Sequence, residues 1–151
     1  MTAKEYLMQI RLLDLKIRHK MEEKDTLLSM ASGISAIQSD PNKVQTSGNT
    51  IGPMRYVDKV VDLEKDIDKM IGKYVRERDR IINQIHQLGD ARYIELLSLK
   101  YIGQQENGRI HYMRLEEIAC TMTKSNGEPY SYDHIRSMHG EALKRFSEIM
   151  Q

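Results

Sequence analysis

The chain has one cysteine, Cys120, in 151 residues, which excludes an intrachain disulfide and a cysteine-based zinc site. It has no tryptophan and a single phenylalanine, and aromatics make up only 6% of it. A thick β-sandwich or barrel core, usually filled by aromatic and β-branched side chains, is therefore not expected. No run of about 18 apolar residues occurs, so no membrane-spanning helix is expected. The opening MTAKEYLMQIRLLD carries Lys4, Glu5, Arg11 and Asp14 where a signal peptide needs an apolar stretch. These absences fit a reducing, cytoplasmic setting away from membranes. Excess charge is missing too: 23 Lys and Arg stand against 22 Asp and Glu, a net +1. No bulk basic field exists to hold nucleic acid, so any such contact must rest on geometry and specific side chains.

Residues for catalysis or metal binding are equally sparse. The histidines (His19, His86, His111, His134 and His139) do not form a ligand set, and His134 and His139 are spaced off the i,i+4 face that helical zinc sites use. Cys120, beside Ala119, reads as a small core residue rather than a nucleophile. Glu116 and Glu117 point about 100° apart on a helix, and complement its dipole better than they would form a catalytic pair. No enzymatic activity, cofactor, metal or small-molecule substrate is expected.

What the chain does have is helical periodicity. Thr2 and Glu5 form a capping-box pattern. Apolar positions then recur at Tyr6, Ile10, Leu13, Ile17, Met21 and Leu28, predicting a helix from about Ala3 to about Met30 that Ser32-Gly33 begins to end. Residues 32–53 turn rich in Ser, Thr, Asn, Gly and Pro and read as a flexible linker. A second long helix is expected from Met54 to Leu88, with Val57, Val60, Ile67, Ile71, Tyr74, Ile81, Ile85 and Leu88 near a seven-residue repeat that Glu64 and Arg78 interrupt. The imperfect stripe suits packing against the first helix, within one chain or across a dimer. These segments form a two-helix, coiled-coil-like arm, residues 1–88.

Residues 89–151 are organised differently. Asp90 caps a helix dense in apolar side chains, ARYIELLSLKYI, and Gly103 stops it. Asn107-Gly108 can close a small β-hairpin. A short helix follows at LEEIA, in which Leu115, Ile118 and Met122 face inward and Ala119 permits close crossing. An eight-residue turn, Thr123 to Tyr130, leads to a last helix capped by Ser131 and reaching about Met150, with Ile135, Met138, Ala142 and Phe146 as its buried stripe. This is the logic of a helix-turn-helix. Tyr132, Asp133, Arg136, Ser137 and His139 then lie on or near the outer face, where they can donate to and accept from base edges. Residues 131–146 carry only one net positive charge, so one copy should bind weakly and with a shallow salt dependence.

Residues 90–150 resemble region 4 of bacterial sigma factors, through the leucine-rich helix ending in LKYI, the LEEIA start and the S-x3-I-x6-AL-x2-F pattern of the last helix. Over nearly its whole length the chain is also similar to a family of small proteins from phages and prophages of Gram-positive bacteria, related to the ArpU-like and RinA-like regulators of phage late transcription. QIHQLGDARYIELLSLKYI and SYDHIRSMHGEALKRF carry that similarity. The resemblance implies an all-α fold with a sigma-region-4-like domain at 89–151 that binds double-stranded DNA and regulates late genes, with host RNA polymerase as a partner. Tyr132, Arg136 and Ser137 would touch bases, Asp133 would accept from cytosine, and Lys124, Tyr130, Lys144 and Arg145 would hold phosphates, with Ser131 and His139 beside them. The eight-residue turn departs from the roughly three residues of the sigma pattern. The weak charge of one copy favours a homodimer through the N-terminal helices. Two other roles share these features: a DNA-recognition subunit of phage packaging, resembling a small terminase, and a polymerase-binding module that never meets DNA.

Overall fold

A computed structural model of the chain describes the backbone of residues 1–38 and 53–151, with side-chain burial at 1–33 and 54–151. The described residues are predominantly helical: α1 (Ala3–Gln38), α2 (Pro53–His86), α3 (Ala91–Leu97) continued by a π-helical turn (Ser98–Ile102), α4 (Leu115–Thr121) and α5 (Tyr132–Ile149), with one small hairpin of β1 (Gln104–Glu106) and β2 (Arg109–His111). Among the described residues no helix is long and apolar enough to cross a membrane. The described chain divides into two compact units.

The first unit comprises Met1–Leu12 and Tyr74–Gln151. Its core joins Leu7 and Ile10 of α1, Ile81 and Ile85 of α2, Leu96 and Leu97 of α3, Tyr101 and Ile102 of the π-turn, Ile118 of α4, and Ile135, Met138, Ala142 and Phe146 of α5. The division expected near residue 88 therefore runs through this unit. The three short helices bury their faces against the ends of the two long ones as well as against each other. Tyr6 marks that join: its ring centroid lies 6.1 Å from that of Phe146 and its hydroxyl donates to Gln84 at 2.8 Å.

Local chemistry sets each boundary in this unit. The Thr2–Glu5 capping box forms as the sequence predicts, with Thr2 N–H donating to Glu5 at 2.7 Å and Glu5 N–H to Thr2 Oγ1 at 3.2 Å. Asp90 accepts from Arg92 N–H at 2.9 Å and starts α3. The helix ends in a wider turn, Gly103 N–H donating to Ser98 C=O at 2.9 Å. Gly103 is needed there: it has φ 73° and a Cβ would sit 2.6 Å from the His111 carbonyl oxygen. The hairpin pairs Gln104 with His111 and turns at Asn107 and Gly108, with φ of 51° and 76°, the twist a two-residue hairpin favours.

The second unit, Leu13–Lys73, holds parts of the two long helices. Ion pairs join Lys20 to Asp66 at 3.7 Å and Lys24 to Glu64 at 3.8 Å, so the segments run antiparallel within one chain. Among its described residues, the buried ones are Ile17, Val60, Leu63 and Ile67, each between 5% and 9% exposed.

Several sequence expectations change. Helix α1 continues past Ser32-Gly33 to Gln38. Ser32 Oγ folds back to donate to the Leu28 carbonyl at 3.0 Å, and a glycine is tolerated in a helix at about 1 kcal/mol. The rest of the expected 32–53 linker, residues 39–52, lies outside the described residues. Met21 and Leu28 are exposed, whereas Ile10 and Ile17 of the expected stripe are buried and are joined by Ala3 and Leu7. On α2, Leu63 rather than Val57 or Ile71 enters the seam, leaving Glu64 free to meet Lys24. Cys120 is exposed, because the inner side of α4 is already filled by Ile118, Ala119 and Met122.

Candidate nucleic-acid interface

The entry to α5 is built from its cap outward. Ser131 Oγ accepts from His134 N–H at 3.2 Å, fixing where the helix starts. The preceding turn is tied across its base, by a bridge between Thr123 and Pro129 and by Lys124 N–H donating to Glu128 C=O at 2.8 Å. Gly127, at φ 82°, closes its tip. The eight residues thus make a miniature two-stranded loop that delivers Lys124 and Tyr130 to the first turn of α5. The Tyr130 ring meets His134 edge-on at 4.9 Å, and Lys124 Nζ lies 5.9 Å from the Tyr130 ring.

From there α5 is two-faced. Ile135, Met138, Ala142 and Phe146 are buried, anchoring the helix on α3 and α4. Tyr132, Asp133, Arg136, Ser137 and Lys144 are exposed. Tyr132 is 43% exposed, a large side chain presented to solvent on the first turn. The outward set supplies a guanidinium fork, two hydroxyls, a carboxylate and an ammonium along one side of a rigid helix. Such groups can read base edges and hold phosphates, and they can equally meet a polar protein surface.

Of the sequence-selected residues, His139 is placed differently, and Arg145, though exposed, leans on a ring of the protein itself. His139 is turned inward: its Nε2 lies 2.9 Å from Tyr101 Oη, and the two rings stack at 5.9 Å. Burial, then the charges of Lys100 and Lys4, lower its pKa to about 4, so the ring is neutral at physiological pH and unsuited to holding a phosphate by charge. The sequence carried the signal, since His139 follows Ile135 by four residues and precedes Ala142 by three, on the edge of the buried stripe. Arg145 sits over a ring of the protein itself, its Cζ 5.5 Å from the Tyr93 centroid. The Tyr93 hydroxyl donates to Glu141 at 2.8 Å, a bond that raises its pKa.

Sequence reasoning passed over two residues that the fold brings to this side. His134 is exposed in the first turn, beside Tyr130. Arg92, exposed at the start of α3, is held in a fork by Asp90 at 3.2 and 2.9 Å, with its Cζ 5.9 Å from the Tyr93 ring. Only the pairing of Asp90 with Arg92 two residues on hinted at it.

Among the described residues no group of three or more His, Cys, Asp or Glu side chains is placed to hold a metal ion. An open cleft of about 560 Å³ lies between the end of α2 and α5, lined by Gln87, Leu88, Glu141 and Arg145 among others, with cations and carboxylates mixed. Comparison with protein-family models, curated proteins and solved structures found no match to this chain.

Proposed function

We propose that the chain binds double-stranded DNA through α5, with α4 and α5 acting as a helix-turn-helix supported by α3, and that it regulates transcription. One observation carries the reading: a capped helix buries its apolar stripe while leaving Tyr132, Asp133, Arg136 and Ser137 exposed on its first turns. Groups on the first turns of such a helix enter the major groove first. The tied loop before α5 adds Lys124, Tyr130 and Ser131 at the same end, where they would fix the position of the helix on the phosphates. Lys144 would do the same further along. The role in late-gene control, and polymerase as a partner, follow from the resemblance to sigma region 4 and to phage regulators. Pairing of two copies through the long helices would double the phosphate contacts of a domain whose own net charge is small.

The test is selection of duplexes from a random-sequence library by the full chain, followed by footprinting on the recovered sequence. A single enriched motif is expected. Arg136→Ala should lose about 1–3 kcal/mol of discrimination at one base position. Recovery of unenriched sequence, or an Arg136→Ala protein with unaltered selectivity, overturns the reading.

A further inference from the structure

Three cations of the first unit, Lys4, Arg11 and Lys100, have no assigned role, and a fourth, Lys144, already stands among the phosphate contacts proposed for α5. Lys4 and Arg11 lie two turns apart on α1, Lys100 comes from the π-turn, and Lys144 from α5. Among the described residues none of these four side chains takes part in an ion pair. They are nevertheless gathered. Lys4 and Lys144 line one open cavity of about 450 Å³, to which Leu143 and Ser147 also contribute. Lys100 Nζ lies 5.9 Å from the ring of Tyr101, whose hydroxyl meets His139 at 2.9 Å. The Arg11 guanidinium lies 4.6 Å over the ring of Tyr112, just past β2.

The ammonium of Lys100 senses its neighbours: burial lowers its pKa first, then the charges of Arg11 and Lys4, with Glu116 acting the other way. Like charges drawn together destabilise a fold unless something neutralises them. Lys4 and Arg11 are separated by about 10 Å along α1 at 1.5 Å per residue, too far for one small anion to bridge. A repeated anion suits such a row better. Two of its members are tied to α5: Lys144 is on that helix, about two turns beyond Arg136, and the Tyr101 ring beside Lys100 meets His139, one turn after Arg136.

We propose that Lys4, Arg11, Lys100 and Lys144 form a track for the sugar–phosphate backbone of the duplex that α5 reads. The proposal rests on that reading. It adds three residues from outside the helix-turn-helix and explains how a chain of net charge +1 holds a polyanion: the charge is placed, not abundant.

The experiment is a salt titration of the full chain on a mixed-sequence DNA duplex, followed by fluorescence anisotropy. The Lys4→Gln/Lys100→Met pair is compared with Arg136→Ala and with Lys65→Gln, an exposed lysine of the other unit. The slope of log affinity against log salt should become shallower by about two for the pair, each lost phosphate contact being worth about 0.9. It should not change for Lys65→Gln. Lys4→Glu, at an exposed position, is the second variant should the pair melt early, and it too should weaken binding to every sequence alike. An unchanged slope in a folded variant, with the wild-type chain binding DNA, overturns the track and leaves the role of α5 standing. The same unchanged slope with lost retention on an immobilised acidic polypeptide assigns the row to a protein partner and overturns the track as well. A wild-type chain that binds no duplex at low salt overturns both.

Discussion

The two units are made from the same pair of helices and differ in what those helices pack against. In the first unit, eleven large side chains, among them Tyr101, Phe146, Leu7 and Ile85, are less than 2% exposed. Among the described residues of the second, Ile17, Val60, Leu63 and Ile67 form a thin seam, while Leu15, Val57, Val61 and Ile71 remain in solvent. A helix pair can bury one stripe on each partner; a third and fourth element are needed to enclose it. Amphipathicity is thus the same kind of instruction in both places, and the number of neighbours decides how much stabilisation it yields.

That contrast is open to direct attack. Phe146→Ala, which empties the centre of the first unit, should cost about 3–5 kcal/mol in urea unfolding. Ile67→Ala, in a seam whose neighbours can close over the gap, should cost about 2 kcal/mol or less. Hydrogen exchange should place the second loss in residues 13–73 alone. Equal costs, or a Phe146→Ala protein that loses no more than Ile67→Ala, would remove the distinction between the units.

A pH-dependent difference comes next. Folding lowers the His139 pKa from 6.5 to about 4, chiefly by burial and then through Lys100 and Lys4. Since the folded pKa is the depressed one, the stabilisation from a neutral ring is complete above about pH 6.5 and declines as pH falls towards 4. His139→Gln should flatten that part of the stability curve of the first unit and leave exchange in the second unit unmoved. The same slope in both proteins would show that His139 is not the titrating group.

The smallest effect concerns glycines. Gly140 on α5 and Gly33 on α1 would each meet open space if given a Cβ. Alanine at either should stabilise its own unit by about 0.4–1 kcal/mol, through a less disordered unfolded chain. They should part company in the binding assay. Gly140 lies one turn beyond Arg136 on the outward side of α5, so its alanine variant should melt higher yet bind duplex DNA more weakly, whereas Gly33→Ala should leave binding unaltered. A Gly140→Ala chain that binds as before would narrow the contact face to the first turns of α5.

Much of the fold was legible because it depends on local chemistry. Ser131, Asp90 and the Thr2–Glu5 pair cap helices through contacts within three residues. Asn107-Gly108 turns a hairpin through its own φ angles, and the Ile135–Met138–Ala142–Phe146 stripe follows from the helical period. Less was legible where two faces of one helix compete. The α2 sequence offers Val57, Val60, Leu63, Ile67 and Ile71, and only contact with α1 selects Val60, Leu63 and Ile67. His139 has the polarity of an outward residue and the position of an inward one. Tyr101 settles the matter by offering a hydrogen bond in a half-buried site.

From the sequence alone, the chain was bound to be helical and nearly neutral, with an amphipathic last helix whose cap and stripe were readable residue by residue, since caps, turns and periodicity act over a few neighbours. Only the tertiary structure joined the first twelve residues to the C-terminal helices, exposed Cys120, turned His139 inwards, and brought Lys4 and Lys144 to the wall of one cavity. These outcomes depend on which surfaces meet across long stretches of chain, and burial and electrostatic proximity exist only after they have met.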